Sequence, residues 1–258
     1  MNACVAVARP VFVQPHYDDV ALSCGGTVAA HAQREGARIV TIFGGDPGHA
    51  ASEFARFQHA RWNLEDNDVI AVRRAEDARA AAELGDQIDV IWFTYLDAIY
   101  RHPDYASDDA LFGSPVAADC ELVTAIAARL AELGDRFVLP LAVGNHVDHQ
   151  LAFLAGGKLL ANGRQVWLYA DMPYALNEGV FESRLRALGD PAPCVRSLST
   201  DEFERRWSAI ECYGSQLPVI FRDLPDARER FERFAADGRG EAPIELFWNM
   251  ADVEGRRT

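Results

Sequence analysis

The sequence is poor in positive charge. Its 25 Lys and Arg stand against 39 Asp and Glu, a formal net charge of -14, so the surface repels nucleic acid and anionic membranes, and a phosphate-bearing partner would need a local basic pocket. Cysteine is sparse and unpatterned. Cys4, Cys24, Cys120, Cys194 and Cys212 are odd in number, widely spaced and without a CxxC pair, which argues against a disulfide framework or a thiolate zinc site and makes a reducing cytoplasm the expected location. No apolar run approaches the roughly 18 residues of a spanning helix, and a first strand near Val11 leaves no room for a cleaved signal peptide. A soluble, unsecreted protein with no membrane insertion is expected. No GxGxxG joins a strand to a helix, so Gly25-Gly26 is not a dinucleotide fingerprint; its small residues suit close helix–sheet packing. Gly214-Ser215-Gln216 lacks the GxSxG elbow, which leaves a serine nucleophile without support. No Pro/Gly/Ser-rich linker divides the chain, and 258 residues that are 49% hydrophobic can bury one large core. One domain over residues 1–258 is expected, with disorder, collagen and repeat arrays excluded.

What is present is an alternation. An alanine-rich helical pattern ends in Gly and a β-branched or aromatic run follows: Val28 to Glu35, Gly36, then Arg38 to Phe43; Val72 to Leu84, Gly85, then Ile88 to Phe93. Leu122, Ile126, Leu130 and Leu133 precede Gly134 and Phe137 to Leu139, and Leu151 to Leu160 precede Gly163 and Val166 to Tyr169. Each glycine is placed to supply a left-handed cap. With Val11 to Val13 as an opening strand, the order predicts an α/β, Rossmann-like three-layer sandwich around a mostly parallel central sheet. The stretches 46–66, 97–117 and 171–199 read as loops, and the first two follow strand carboxyl ends, where such sheets place their binding crevice. A helix near Asp201 to Tyr213 and the run Ile244 to Trp248 should extend or cover the sheet.

Two clusters of ionisable residues fall at strand ends. Pro15-His16-Tyr17-Asp18-Asp19 joins the first strand to a helix beginning around Val20 to Ser23, and Gly144-Asn145-His146-Val147-Asp148-His149 follows Phe137 to Leu141. Parallel strands share one carboxyl edge, so the topology alone brings the clusters to the same side. A catalytic zinc site takes three His or carboxylate ligands and keeps a position open. His16, Asp19 and His149 could supply those ligands. Asp18 and His146 would flank the metal, one taking a proton from water and the other protonating the leaving group or stabilising an oxyanion, with Asp148 orienting the His146 ring.

These residues resemble the two signature motifs of the LmbE-like or PIG-L zinc-dependent de-N-acetylases: His16-x-Asp18-Asp19 with Gly25-Gly26 behind it, then His146-x-Asp148-His149. Arg73-x-x-Glu76 in a helix ending Leu84-Gly85, Asp97 after a strand, and Tyr213-x-Ser215-Gln216 extend the resemblance from Pro15 to about Gln216. It implies one Zn2+ ion per chain held by His16, Asp19 and His149, with Asp18 as general base and His146 assisting the transition state. The implied reaction removes an N-acetyl or other N-acyl group from an amino sugar or N-acetylglucosamine-containing conjugate, a small-molecule substrate. Tyr17 stands where many members have Pro, and Val20 where they have Glu.

Other residues carry weaker signals. The resemblance suggests substrate contact for Arg73, although a solvated helix face or an Arg–Glu pair suits Arg73, Arg74 and Glu76 as well. Asp97, Tyr100 and Arg101 follow the third strand and could line the sugar pocket. Gly44 to His49, with Asp46, reads as a tight turn whose glycines would let backbone approach a ligand. Together Asp46, His49, Asp97 and Arg101 are expected to wall the crevice. The rival readings are a metal-dependent hydrolase of a non-sugar amide and a non-catalytic sugar- or nucleotide-binding module, the latter opposed by the intact motifs.

Overall fold

Strands buried on both faces read as near-continuous apolar runs, and the opening strand Val11–Gln14 is buried at every position, apolar up to its hydrogen-bonded last residue. In the computed structural model, which describes residues 9–48, 52–177, 179–221, 227–236 and 242–255, β1 (Val11–Gln14), β2 (Ala37–Thr41), β3 (Ile88–Trp92), β4 (Arg136–Pro140) and β5 (Gln165–Tyr169) pair in parallel. Val11 sits opposite Arg38 on one side and Phe137 on the other. Two further strands, β6 (Cys194–Ser197) and β7 (Ile244–Asn249), add antiparallel to give one sheet ordered β3-β2-β1-β4-β5-β7-β6. The run Ile244 to Trp248 therefore extends the sheet, as expected. Cys194–Ser197 was expected to be loop; four residues on an edge, three of them exposed, carry too little periodicity to announce a strand.

The helices are α1 (Asp19–Ala32), α2 (Glu53–Arg61), α3 (Val69–Leu84), α4 (Ala98–Arg101), α5 (Asp108–Leu111), α6 (Cys120–Ala131), α7 (Val147–Ala161), α8 (Val180–Ala187), α9 (Thr200–Glu211), α10 (Leu217–Ile220), α11 (Ala227–Ala236) and α12 (Met250–Glu254). Right-handed crossovers run one way from β1 to β3 and the other way from β4 to β5. They put α1 and α3, joined by α9, on one face of the sheet, and α6 and α7, joined by α12, on the other. The direction reverses between β1 and β4, and that switch point is where a crevice opens at the carboxyl edge.

Gly36 and Gly163 do take the left-handed cap, at φ +78° and +79°, and the Gly36 amide donates to the His31 carbonyl at 2.8 Å. Gly85 has φ +152° instead, and Gly134 is not among the positive-φ residues, so the expected cap holds at two of the four helices. Inside α1 the backbone breaks at Cys24 (φ -147°, ψ 24°). The next turn starts like a fresh helix: the Gly26 and Thr27 amides each donate to the buried Glu245 carboxylate at 2.9 Å, and Arg206 donates to the Leu22 carbonyl that the break frees. A Cβ on Gly26 would lie 2.6 Å from Leu198 Cδ1 and one on Gly25 3.0 Å from Arg206 Cγ. The glycine pair thus makes room for α9 and the segment before it, more than for the sheet.

Candidate metal and catalytic site

β1 turns into α1 through His16, Asp18 and Asp19, and β4 turns into α7 through His146, Asp148 and His149, so neighbouring strands deliver both clusters to the switch point. Asp19 bridges them. Its Oδ2 accepts the His16 backbone N–H at 2.8 Å and lies 3.7 Å from His16 Nδ1, while its Oδ1 is 3.4 Å from His149 Nε2. The His149 ring is held from behind, Nδ1 donating to Asp171 Oδ1 at 2.7 Å, and Asp171 Oδ2 accepts the Val143 N–H at 3.0 Å. His149 Nε2 is buried and has no hydrogen-bond partner. An orphaned imidazole nitrogen aimed at a carboxylate 3.4 Å away fits a cation between them.

The charges agree. Burial opposes a positive His16, yet Asp97, a hydrogen bond to Asp148, and Asp19 push its pKa up to about 9. Burial likewise opposes a charged His149, and Asp19 and Asp171 outweigh it and raise its pKa. Both rings sit where positive charge is wanted. Among the described residues, ligand atoms lie within 4.8 Å of one another in two sets, His16 with His146 and His149, and His16 with Asp97 and Asp148. The donor set, imidazole and carboxylate with no thiolate, suits a divalent metal.

Asp18 caps α1 without a side-chain bond to the helix amides and faces the cleft. Its pKa is raised, by burial first and then by Asp19, with Arg73 and His16 opposing. His146 Nδ1 accepts the Asp148 backbone N–H at 3.2 Å, which leaves the ring hydrogen on Nε2. Burial, and then His16, lower its pKa well below the ordinary histidine range, so the ring is neutral.

The role read for Asp148 needs correcting. Its carboxylate does not hold the His146 ring: Oδ2 accepts from His16 Nε2 and from the Ala98 N–H, each at 3.1 Å, and Oδ1 accepts from Arg101 at 2.7 Å. At the second position of α7 the side chain points back across the switch point, whereas the Asp148 amide reaches its own helix cap.

The cleft above these residues is about 390 Å³. Its walls come from α2 and its cap (Gln58, Arg61 and Trp62), from Asp97 and the α4–α5 segment, from Tyr174 after β5, and from α10. The loops expected to wall the crevice do so, but not with all the expected side chains. Asp46 is exposed, accepts the Gly48 amide at 2.8 Å in a turn, and does not line the cleft. Arg101 is consumed by Asp148, Asp119 and the Leu96 carbonyl, and Tyr100 by His59; His49 lies outside the described residues. Asp97 caps α4 and brings its Oδ2 to 3.6 Å from His16. Arg73 lines the cleft between the rings of Tyr17 (5.1 Å) and Trp62 (4.8 Å), its Nε unpartnered. Tyr17 thus gives Arg73 an aromatic face that proline could not. Arg74 and Glu76 turn to structure, Arg74 donating to the Gly44 carbonyl at 2.7 Å and Glu76 accepting from the Ser215 amide and hydroxyl at 2.8 and 2.7 Å. Asp171 and Tyr174 went unread in the sequence, although Asp171 follows a strand end as both clusters do.

Several known deacetylases resemble this chain. Residues 11–159 match the family model described as PIG-L, GlcNAc-PI de-N-acetylase. A 2'-N-acetylparomamine deacetylase of Streptomyces fradiae is 33% identical over 96% of this chain and 92% of its own length, and one of Niallia circulans is 31% identical over 64% and 66%. The crystal structure of a deacetylase–bog complex from the teicoplanin biosynthesis pathway superposes with a TM-score of 0.79 at 26% identity, covering 94% of this chain and 98% of that one.

Proposed function

Because the chain belongs to the PIG-L family of GlcNAc-PI de-N-acetylases, we propose that its site cleaves the N-acetyl group of a small amino-sugar conjugate, using one zinc ion per chain held by His16, Asp19 and His149. The observation that carries the metal assignment is the unpartnered, buried Nε2 of His149 facing Asp19. When bound, zinc supplies Lewis-acid polarisation of the amide carbonyl and makes water acidic enough to attack near neutral pH. Asp18, whose carboxylate makes no helix-capping bond, takes the proton from the attacking water. As the water oxygen adds to the carbonyl carbon, His146 donates its Nε2–H to the oxygen that becomes negative. The C–N bond then breaks, the amine leaves with the proton gathered by Asp18, and the second water proton passes from the acetic acid to the free amine, leaving acetate and an ammonium group. Arg73, Asp97 and the ring of Trp62 border the space for the sugar.

The two curated relatives act on 2'-N-acetylparomamine, as their names state, which supports an N-acetylated amino-sugar conjugate as the substrate class here. A single continuous seven-stranded sheet supports reading the chain as one deacetylase domain. Free thiols at Cys24, Cys120, Cys194 and Cys212 support a cytoplasmic location, and among the described residues no helix is long and apolar enough to cross a membrane. The test is metal analysis of protein never exposed to chelator, combined with acetate release from a panel of N-acetylglucosamine conjugates and non-sugar amides. Stoichiometric zinc with release from the sugar conjugates is expected. Protein that neither holds nor is activated by a divalent metal, or that prefers the non-sugar amides, would overturn the reading.

A further inference from the structure

We propose that Arg101 is a positioning residue for the deacetylation, which acts through Asp148 to fix the ring of His16 and ties that ring to the cleft wall formed by residues 97–119. The proposal rests on the metal site described under the proposed function.

The Asp148 side chain is wholly buried, and both of its oxygens are engaged, Oδ2 by His16 Nε2–H and Ala98 N–H and Oδ1 by Arg101. Arg101 is anchored in turn. Its Nε and one terminal nitrogen donate to the two oxygens of Asp119, each at 2.9 Å, the other terminal nitrogen donates to the Leu96 carbonyl at 2.7 Å, and the guanidinium lies 4.9 Å above the Phe43 ring. Asp119 also accepts the Tyr105 hydroxyl at 2.6 Å, and Tyr105 oxygen accepts the Val116 N–H at 2.9 Å. The side chains of His16, Asp148, Arg101 and Asp119 are 13%, 0%, 11% and 3% exposed, so the chain of contacts runs through the interior.

Two consequences follow from that geometry. A histidine whose Nε2–H is committed to a carboxylate offers its other nitrogen to a metal, and here Nδ1 faces Asp19. The guanidinium fork is locked onto the two oxygens of Asp119 and from there aims one N–H at Asp148 Oδ1, a fixed direction that a point charge cannot supply, so Arg101 determines at one remove which nitrogen His16 presents and where. The same fork grips Leu96 and Asp119, which bracket Asp97, Ile99, Leu111 and Phe112 of the cleft wall. Ordering His16 by metal and ordering the wall are then linked, and linkage is reciprocal.

The test uses the full chain as wild type, R101K and R101M, with zinc affinity measured by chelator competition and backbone hydrogen exchange followed over residues 97–119 with and without zinc. In R101M the zinc affinity should fall about 10- to 100-fold, the range for losing a group that orients a metal ligand; zinc should slow exchange in the wall of the wild type and no longer do so in R101M. R101K, which keeps the charge but not the fork, should recover the affinity in part. A residue that merely packs the wall would loosen exchange without moving zinc affinity, so wild-type affinity in R101M overturns the proposal. If R101M does not fold, D119N decides: weakened zinc binding supports the relay and unchanged binding rejects it. A wild type that binds no zinc would defeat the metal site itself, whereas zinc-binding wild type with an equally competent R101M would defeat the Arg101 role alone.

Discussion

Asp171 and His149 form a buried pair in which Nδ1–H donates to the carboxylate at 2.7 Å while Nε2, across the ring, meets no hydrogen-bond partner. The carboxylate settles the tautomer and leaves one lone pair aimed at Asp19. Asp171→Asn, which keeps an acceptor for the Val143 amide but removes the charge, should weaken zinc binding about 10- to 100-fold with the circular dichroism spectrum preserved. Chelator competition measures it, and equal affinity in the variant would strip Asp171 of the role.

The adjacent carboxylates of the first motif should separate by function. Asp18→Asn should retain zinc near wild-type occupancy while amide hydrolysis drops by about two orders of magnitude or more, as loss of a general base predicts. Asp19→Asn should lose zinc, because a neutral amide is a poor ligand for a dication. Metal content and acetate release, measured on both variants, would show a reversal of roles if the outcomes were exchanged.

Asp77 gives a pH signature of its own. Burial drives its pKa up to about 6, against hydrogen bonds from Trp92, Gln14 and Tyr213 that lower it. A carboxyl that is harder to ionise when folded holds more protons in the native state, so its contribution to stability is complete below its ordinary value of 3.8 and is lost as pH rises through about 6. Denaturant titrations should find the wild type losing up to about 3 kcal/mol relative to Asp77→Asn between pH 4 and pH 7, an upper figure from about two pKa units. A constant difference across that interval would exclude the assignment.

Gly144 has φ +82°, and a Cβ there would stand 2.8 Å from Tyr174 Cδ1 and Cγ. Gly144→Ala should cost about 1–2 kcal/mol for the left-handed backbone alone and should push the Tyr174 ring off the cleft wall. Thermal unfolding gives the first effect and a raised KM the second; an alanine variant as stable as the wild type would mean that the turn has rearranged.

Much of this site could be read before the fold was known, because one rule of parallel sheets carries it. Strand carboxyl ends share an edge, and His16, Asp18, Asp19, His146, Asp148 and His149 each sit just past such an end. The same rule would have found Asp171 after Tyr169, had an isolated acid drawn notice without a neighbouring histidine. Side-chain direction was not legible. Arg101, which ends α4, and Asp46, in a turn, both follow strand ends at the binding edge, but that position does not say that Asp119 and Asp148 will claim the arginine, or that Asp46 will close a turn on Gly48. Helices of four residues such as α4 and α5 show no 3.6-residue period, so they vanished into the stretch 97–117.

The break in α1 has a consequence for synthesis. The helix that begins at Asp19 continues past Cys24 by handing its Gly26 and Thr27 amides to Glu245, a partner 219 positions beyond Gly26. Residues 11–159 contain both motifs and the whole span of this chain that matches the family model, yet Glu245 lies far outside them. A ribosome that has released both motifs has therefore not yet released what completes the helix at their base. Until β7 emerges, the nascent chain carries both motifs on an unfinished support.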